Sequence, residues 1–289
     1  MRVSVGVLVC LLLLVVSCWS FCAEETATLS SSNETALEKL PTVSPKLPSE
    51  TKLVLPELSN LVLAADRAAI PGTIRRLPDA AGAIAPWFVR PRAASLHSFC
   101  IGRWLWDPPA ARRRILYYCD SNDRRIFFSV GPGHEAVLGV HRTLVREVCF
   151  GPGNQLYFSE ASGAQADGKV FRIVPGAGVV LYATVSIGRI GGFWSGNFGF
   201  DRSGMMYVSN GNLAASALWR YPIGAMPVPL FRHPNLSGFF VRQGAEAMRG
   251  VFFSDLTNVV NYRVIGGAGA PAHYPGPARC EFCDVWVPS

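Results

Sequence analysis

Five times between residues 56 and 255 the chain writes nearly the same phrase, a turn followed by an apolar strand that ends in an acid or an amide. The units are "PELSNLVLAAD" (56–66), "WDPPAARRRILYYCD" (106–120), "FGPGNQLYFSE" (150–160), "FDRSGMMYVSN" (200–210) and "AEAMRGVFFSD" (245–255). In four of them six residues separate the turn position (Glu57, Gly151, Asp201, Glu246) from the strand position (Leu63, Tyr157, Tyr207, Phe252); in the other, Asp107 to Tyr117, the turn carries extra residues. Self-similarity at a period of tens of residues marks a repeat architecture, because each unit must bury its apolar face against the next.

Each phrase is followed by a second half: "IRRLPDAAGAIAPWFV" (74–89), "IFFSVGPGHEAVLGV" (126–140), "VFRIVPGAGVVLYAT" (170–184), "LWRYPIGAMPVPLFR" (218–232) and "NYRVIGGAGAPAHYP" (261–275). An alternating strand, a Gly/Pro turn and another apolar strand make a hairpin. Four short strands per period, with no sustained helical periodicity between them, predict an all-β chain. The expected architecture is a β-propeller of five, or six, four-stranded blades. A β-sandwich with accidental self-similarity is the competing fold. The C-terminal "CDVWVPS" (283–289) is expected to supply one more strand that closes the ring on the first blade.

The leading residues have a different grammar. "MRVSVGVLVCLLLLVVSCWSFCAEE" sets one Arg before a short apolar run and then small residues, the layout of a secretory signal over residues 1–22. Cleavage as a lipoprotein at Cys18 and retention as an anchor are the alternatives, and the membrane is a partner only under those two. Residues 23–50 are rich in Ser, Thr, Pro and Glu without apolar periodicity, so they are expected to form a disordered stalk ahead of a propeller domain at 51–289. The expected location is extracellular. Asn33 in "NET" and Asn235 in "NLS" are glycosylation acceptors in a eukaryotic host. Export permits disulfides, and five cysteines remain beyond the leader: Cys100, Cys119, Cys149, Cys280 and Cys283. Five is odd, so at least one thiol is free or pairs outside the chain. "CEFC" (280–283) reads as a structural disulfide region, since only the isolated His273 lies near enough to complete a zinc site.

The net charge of +7 is concentrated. Residues 75–146 hold twelve Arg and no Lys against five acids, which gives a basic face. Such a face suits acidic glycans, or serves as solvated strand-edge charge that discourages edge pairing. Nucleic acid is not the expected partner of an exported chain.

The units carrying "FDRSGMMYVSNG" and "LYYCDSNDRRIFF" resemble NHL and YWTD repeats and the propeller superfamily of gluconolactonase, senescence marker protein and strictosidine synthase. The likeness covers about residues 51–289. It implies a propeller and, in enzymes of the gluconolactonase type, a divalent cation held in the central channel by Glu, Asn and Asp. Counting four residues back from each turn position gives the expected channel residues: Leu53, Arg103, Glu147, Asn197 and Arg242. One Glu and one Asn beside two Arg suit an anion better than a cation, because guanidinium groups grip carboxylates in bidentate fashion. The competing expectation is that Glu147 pairs with Arg103 or Arg146 and closes the channel. The aromatic residues of the Gly-flanked loop "RIGGFWSGNFG" (189–199), Trp194 among them, and of the segment "RHPNLSGFFVRQG" (232–244) are expected either to rim the channel mouth or to pack between blades.

A second ring of acids ends the aromatic strands: Asp66, Asp120, Glu160, Asn210 and Asp255. These are expected to accept hydrogen bonds from turn amides or to pair with arginines such as Arg124 and Arg125. No nucleophile elbow, phosphate-cradling loop or His-rich motif is present, no cofactor is identified, and no metal site is expected. The expected function is therefore a secreted binding module for a protein, a glycan or a small anionic ligand at the channel mouth, through Arg103, Glu147, Asn197, Arg242 and Trp194. The alternative is a lactone or ester hydrolase, or a strictosidine synthase-like enzyme; whether the chain is an enzyme stays open.

Overall fold

The structure, a computed structural model, describes Leu47 and residues 62–66, 68–77, 85–107, 114–120, 122–160, 167–185, 197–201, 203–209, 216–233, 236–242, 250–255, 260–264, 272–274 and 280–283. Beyond residue 236 the description is of backbone and strand pairing alone. Strands are numbered in chain order. The first sheet holds β1 (Val62–Asp66), β2 (Thr73–Leu77) and β3 (Ala85–Val89); the second holds β4 (Ser98–Arg103), β5 (Arg114–Cys119), β6 (Arg125–Ser129) and β7 (Ala136–Val140). The third holds β8 (Val145–Gly151), β9 (Gln155–Glu160), β10 (Gly168–Val174) and β11 (Gly178–Val185), with a single 3-10 turn at Pro152–Asn154 between β8 and β9. The fourth is β12 (Phe198–Phe200), β13 (Met206–Ser209), β14 (Ala217–Tyr221) and β15 (Val228–Arg232); the fifth is β16 (Leu236–Arg242), β17 (Gly250–Asp255), β18 (Val260–Val264) and β19 (Ala272–Tyr274). Finally β20 (Cys280–Cys283) returns to pair antiparallel with β1, which completes the first sheet as a fourth strand.

The leading strands of these five sheets touch in a closed cycle: β4 on β8, β8 on β12, β12 on β16, β16 on β20 and β20 on β4. That radial cycle is a β-propeller, and the chain is all-β as its repeats predict. Closure comes from "CEFC" itself. The expected closing segment 283–289 enters the strand only at Cys283, and residues 284–289 lie outside the described residues. Residues 52 and 53 also lie outside them; the innermost position of the first sheet belongs to β20.

The repeated aromatic phrase becomes the second strand of each sheet, and its composition follows from being covered on both faces. In β5, Ile115, Leu116, Tyr117, Tyr118 and Cys119 are all 0% exposed, so no polar alternation is possible there. Ile101, Leu116, Tyr118 and Phe127 pack toward Leu63, Ile74 and Phe88 of the first sheet. Tyr117, Ile126 and Phe128 pack toward Val148, Phe150 and Phe158 of the third, where Leu47 also lies against the cluster. Tyr157, Val170 and Val185 meet Phe198, Phe200 and Val208 of the fourth. Full burial of side chains of this size contributes about 1.5–3 kcal/mol each.

Two features recur from sheet to sheet. Tyr117, Tyr157 and Tyr207 occupy the same pairing position, and each hydroxyl donates to the turn between the first and second strands: to the Arg103 carbonyl at 2.9 Å, the Pro152 carbonyl at 3.0 Å and Asp201 Oδ2 at 3.0 Å. Asp201 also accepts from the Ser203 and Met205 amides at 2.9 and 3.1 Å, and Gly204 takes the left-handed conformation (φ 85°) that ends this turn. The second feature is a glycine against a phenylalanine of the next sheet. A Cβ on Gly102 would stand 2.4 Å from the Phe150 ring, and one on Gly151 would stand 2.5 Å from Phe200. These glycines let successive inner strands approach closely enough for Phe150 to reach Tyr117 (5.5 Å between centroids) and Phe200 to reach Tyr157 (4.7 Å).

Gly151→Ala is therefore expected to destabilise the propeller by about 1–3 kcal/mol through overpacking. Adding Phe200→Leu should recover part of that loss, a coupling that chemical denaturation of the four members of the double-mutant cycle measures.

Candidate functional site

Strand register decides which side chains share a level of the inner ring. Glu147 lies opposite Ser159, and Ser98 opposite Cys119. Ser237 pairs with Ser254 and Glu281 with Ala65, while Ser209 N donates to the Asn197 carbonyl at 3.1 Å. Counted from the equivalent second strands, Glu281, Ser98, Glu147, Asn197 and Ser237 form one level. Glu147 and Asn197 thus come together in register, as the sequence suggests.

Arg103 and Arg242 do not join them. Each ends its strand five residues beyond the shared level, Arg103 opposite Arg114 and Arg242 opposite Gly250. Their displacement has a simple cause: ten residues (104–113) separate β4 from β5 and seven (243–249) separate β16 from β17, against three (152–154) between β8 and β9. A fixed count back from the turn therefore slides along the longer connections. Trp194 lies outside the described residues. The segment 232–244, expected as a rim loop, contains β16, the inner strand of the fifth sheet.

The shared level is built as a contact between sheets. Ser98, Glu147 and Asn197 are 0%, 5% and 1% exposed, so this level is shut to solvent on the three sheets concerned. The Ser98 hydroxyl donates to Glu147 Oε1 and accepts from the Val148 amide at 3.2 Å, joining the inner strands of the second and third sheets. A register shift between Val145 and Glu147 leaves Arg146 as the extra residue in β8. Bulges of this kind re-aim a side chain. The Arg146 carbonyl accepts from Cys119 Sγ at 3.5 Å. Glu147 is thus bonded to Ser98 of the neighbouring sheet. Arg103 ties two turns together, donating from Nη1 to the Asp107 carbonyl at 2.9 Å and from Nε to the Asn154 carbonyl of the next sheet at 3.3 Å.

Cys100 is a fully buried thiol. Burial, followed by the nearby Cys149 and Glu147, pushes the Cys100 thiol up, so it behaves as a small apolar filler rather than a nucleophile. Among the described residues no group of three or more His, Cys, Asp and Glu is arranged to hold a metal ion.

Of the acids expected at the ends of the second strands, Asp66, Asp120 and Glu160 are engaged; residue 210 and the side chain at 255 lie outside the described residues. Asp66 accepts from the Ala68 amide at 3.2 Å and Arg75 Nε at 2.8 Å. Asp120 accepts from the Asn122 amide at 3.1 Å and the Ser95 hydroxyl at 2.8 Å, with Arg90 at 3.5 Å. Glu160 meets Thr143 at 3.1 Å, His141 at 3.3 Å and Lys169 at 3.7 Å. Turn amides are the expected partners, but the arginines are Arg75 and Arg90; Arg125 pairs with Asp123 at 2.6 Å.

One cluster is invisible to the repeat pattern. Arg90, buried between the first two sheets, donates from Nε to Glu135 Oε2 at 2.8 Å, and its guanidinium lies 4.7 Å from the Phe127 ring centre. Tyr118 donates to the same Glu135 oxygen at 2.6 Å, and Arg92 approaches Oε1 at 2.9 Å. Burial pushes the Glu135 carboxyl up, but the Arg90 and Tyr118 hydrogen bonds and the charges of Arg90 and Arg92 outweigh it, and the net shift is downward. Arg90 and Glu135 are 45 residues apart and sit in connections rather than in repeated strands. Only the observation that a Glu follows the turn "GPGH" (131–134), between the third and fourth strands of the second sheet, could have drawn attention to it.

No protein-family model matches the sequence, and no curated protein does. Solved structures do. The crystal structure of a nidogen/laminin complex matches at 11% identity, over 78% of this chain and 97% of that chain, with a TM-score of 0.47. Virginiamycin B lyase from Staphylococcus aureus, solved in a catalytically inactive form with quinupristin, matches at 11% identity over 77% and 72% of the two chains (TM-score 0.40). A gluconolactonase-like protein matches at 14% identity over 71% of each chain (TM-score 0.40). At these identities the likeness is one of fold alone.

Because the Glu135 carboxyl is held below its unfolded value, it adds stability above the usual carboxylate range and loses it as the pH falls through the folded value. Thermal unfolding from pH 6 down to pH 3 should show a falling Tm, and Glu135→Gln should flatten that slope while lowering Tm at neutral pH. Separately, Ser98→Ala removes the donor to a buried carboxylate and is expected to cost about 1–3 kcal/mol in denaturant titrations.

Proposed function

We propose that this chain is an exported propeller of five blades that serves as a binding module, taking an acidic protein, a glycan or a small anionic ligand at an end of the ring. The observation that supports this reading is the commitment of its carboxylates. Glu147 on the inner ring and Asp66, Asp120 and Glu160 at the strand ends each accept hydrogen bonds from neighbouring protein groups, which suits scaffold roles. A hydrolytic centre built on a divalent cation would need several such oxygens converging on one point. The inner level joins one sheet to the next, which leaves the two ends of the ring as the surfaces on which a ligand is met. The leader at 1–22, the stalk at 23–50 apart from Leu47, and the acceptors Asn33 and Asn235 lie outside the described residues; they are read as the means of export.

The test is thermal unfolding with and without millimolar calcium, manganese or zinc, alongside assays of lactone and ester hydrolysis. The expected result is an unchanged Tm and no turnover. A divalent-dependent rise in Tm that Glu147→Gln or Asn197→Ala abolishes would overturn the binding-module reading in favour of the hydrolase.

A further inference from the structure

Arginine recurs at one register position of the third strand. Arg76 lies opposite Leu63, Arg172 opposite Tyr157, Arg220 opposite Tyr207 and Arg263 opposite Phe252. Only the second sheet differs, with Phe128 opposite Tyr117. The tyrosines of this register bond to the turns between first and second strands, so the arginines stand at that same end of the ring.

Two further arginines end up there by topology: Arg103 is the last residue of β4 and Arg114 the first of β5, directly opposite one another. Like charges facing across a strand pair repel. Arg76 and Arg220 are exposed, and Arg103, Arg114 and Arg172 are half-buried. Arg172 Nη1 reaches Gln155 Oε1 at 3.5 Å, while its Nε is buried and has no hydrogen-bond partner among the described residues. Of the acids described near this end, Asp201 caps its turn, Glu135 is bound by Arg90, Arg92 and Tyr118, and Asp107 stands beside Arg103, whose Nη1 donates to the Asp107 carbonyl at 2.9 Å. At the opposite end the strands terminate in Asp66, Asp120, Glu160 and Asp255. The acids of that opposite end are paired with cations of their own, Asp66 with Arg75, Asp120 with Arg90 and Glu160 with Lys169, so what distinguishes the first end is that its arginines repeat at one register position.

We propose that the end carrying the turns between first and second strands is the docking face for an acidic polysaccharide, whose repeated sulfate or carboxylate groups meet Arg76, Arg172, Arg220 and their register mates around the ring. This inference rests on the binding-module reading and names its ligand class. Planar guanidinium groups grip sulfates and carboxylates in bidentate fashion, and cations repeated around a rim fit a ligand whose anions also repeat. A protein partner would want an apolar centre with a polar rim. Here the exposed apolar side chains Ile223 and Met226 lie on one outer hairpin turn of the fourth sheet instead. Single-stranded nucleic acid would want aromatic faces to stack on, and the tyrosines of this register are buried.

The test applies the full chain to immobilised heparin, with polyglutamate and single-stranded DNA columns beside it. The wild type should be retained at about 0.1 M salt, where charges are screened beyond about 10 Å, and more strongly on heparin than on the other two. The double substitution Arg76→Gln/Arg220→Gln should lower the slope of log affinity against log salt by about 2. Arg124→Gln/Arg142→Gln makes the same change in net charge at the acid-tipped end, where the His141 amide bonds the Arg124 carbonyl and both side chains are exposed. It should leave the slope unchanged. An independent reading on the wild type is arginine-selective dicarbonyl labelling, in which heparin should protect Arg76 and Arg220 but not Arg124 and Arg142. Equal losses in the two double variants, or protection at both ends, would show net charge alone and overturn the proposal. Tighter retention on polyglutamate or DNA would overturn the ligand class. Flow-through on heparin would sink this inference alone, whereas a Glu147-dependent effect of divalent cations would sink the reading beneath it.

Discussion

The pairing of β20 with β1 is the constraint on which the rest of the structure depends. A row of sheets packed face to face has two uncovered end sheets, each exposing an apolar surface. Joining the C-terminal strand to the first three strands removes both ends at once, because the first sheet then cannot leave the last without breaking four register pairs between Leu63–Asp66 and Cys280–Cys283. Every sheet becomes an interior layer. That is why strands such as β5 are buried on both faces, and why the aromatic phrase carries no solvent side.

Closure also fixes how closely inner strands must approach. A ring of five sheets is tight at its axis, and the described inner strands meet that demand with glycine facing phenylalanine, Gly102 under Phe150 and Gly151 under Phe200. The tyrosine hydroxyls then satisfy the turn groups that this crowding would otherwise leave dry. Repetition in the sequence is thus the record of a steric requirement repeated around an axis. The same requirement accounts for Ser98 and Glu147, a polar pair at a level where two strands press together out of reach of water.

The fold was legible because its signal is periodic. Strand after strand carries Tyr or Phe at a fixed distance from a turn, and hairpins follow at regular spacing; no single residue had to be read correctly. The candidate site was legible only where connections were short. Glu147 and Asn197 are found by counting because three to five residues link their strands to the next, whereas Arg103 and Arg242 are misplaced by the longer connections of the second and fifth sheets. The Arg90, Glu135 and Tyr118 cluster could not be found by any count, since it joins connections of different sheets through space. "CEFC" was read for its sulfur chemistry, but its backbone pairing with β1 is what the fold uses.

These features bear on where function can reside. When both faces of each sheet are covered, ionisable side chains have few places to stand: the inner ring, where they must be bonded to one another, and the two ends of the strands. Where the second and third sheets meet, the inner ring is occupied by its own hydrogen bonds, from the Ser98 hydroxyl to Glu147 and from the Val148 amide to the Ser98 hydroxyl. Acids at one end cap turns, which is a local duty that any acid at that position performs. Arginines recur at the other end in the third strand, where Arg172 reaches Gln155 of its own sheet at 3.5 Å while Arg76 and Arg220 are exposed. A charge that recurs at the same register in four sheets of a ring, and that stands exposed at Arg76 and Arg220, is the part of the repeat that a ligand with repeated anions would explain.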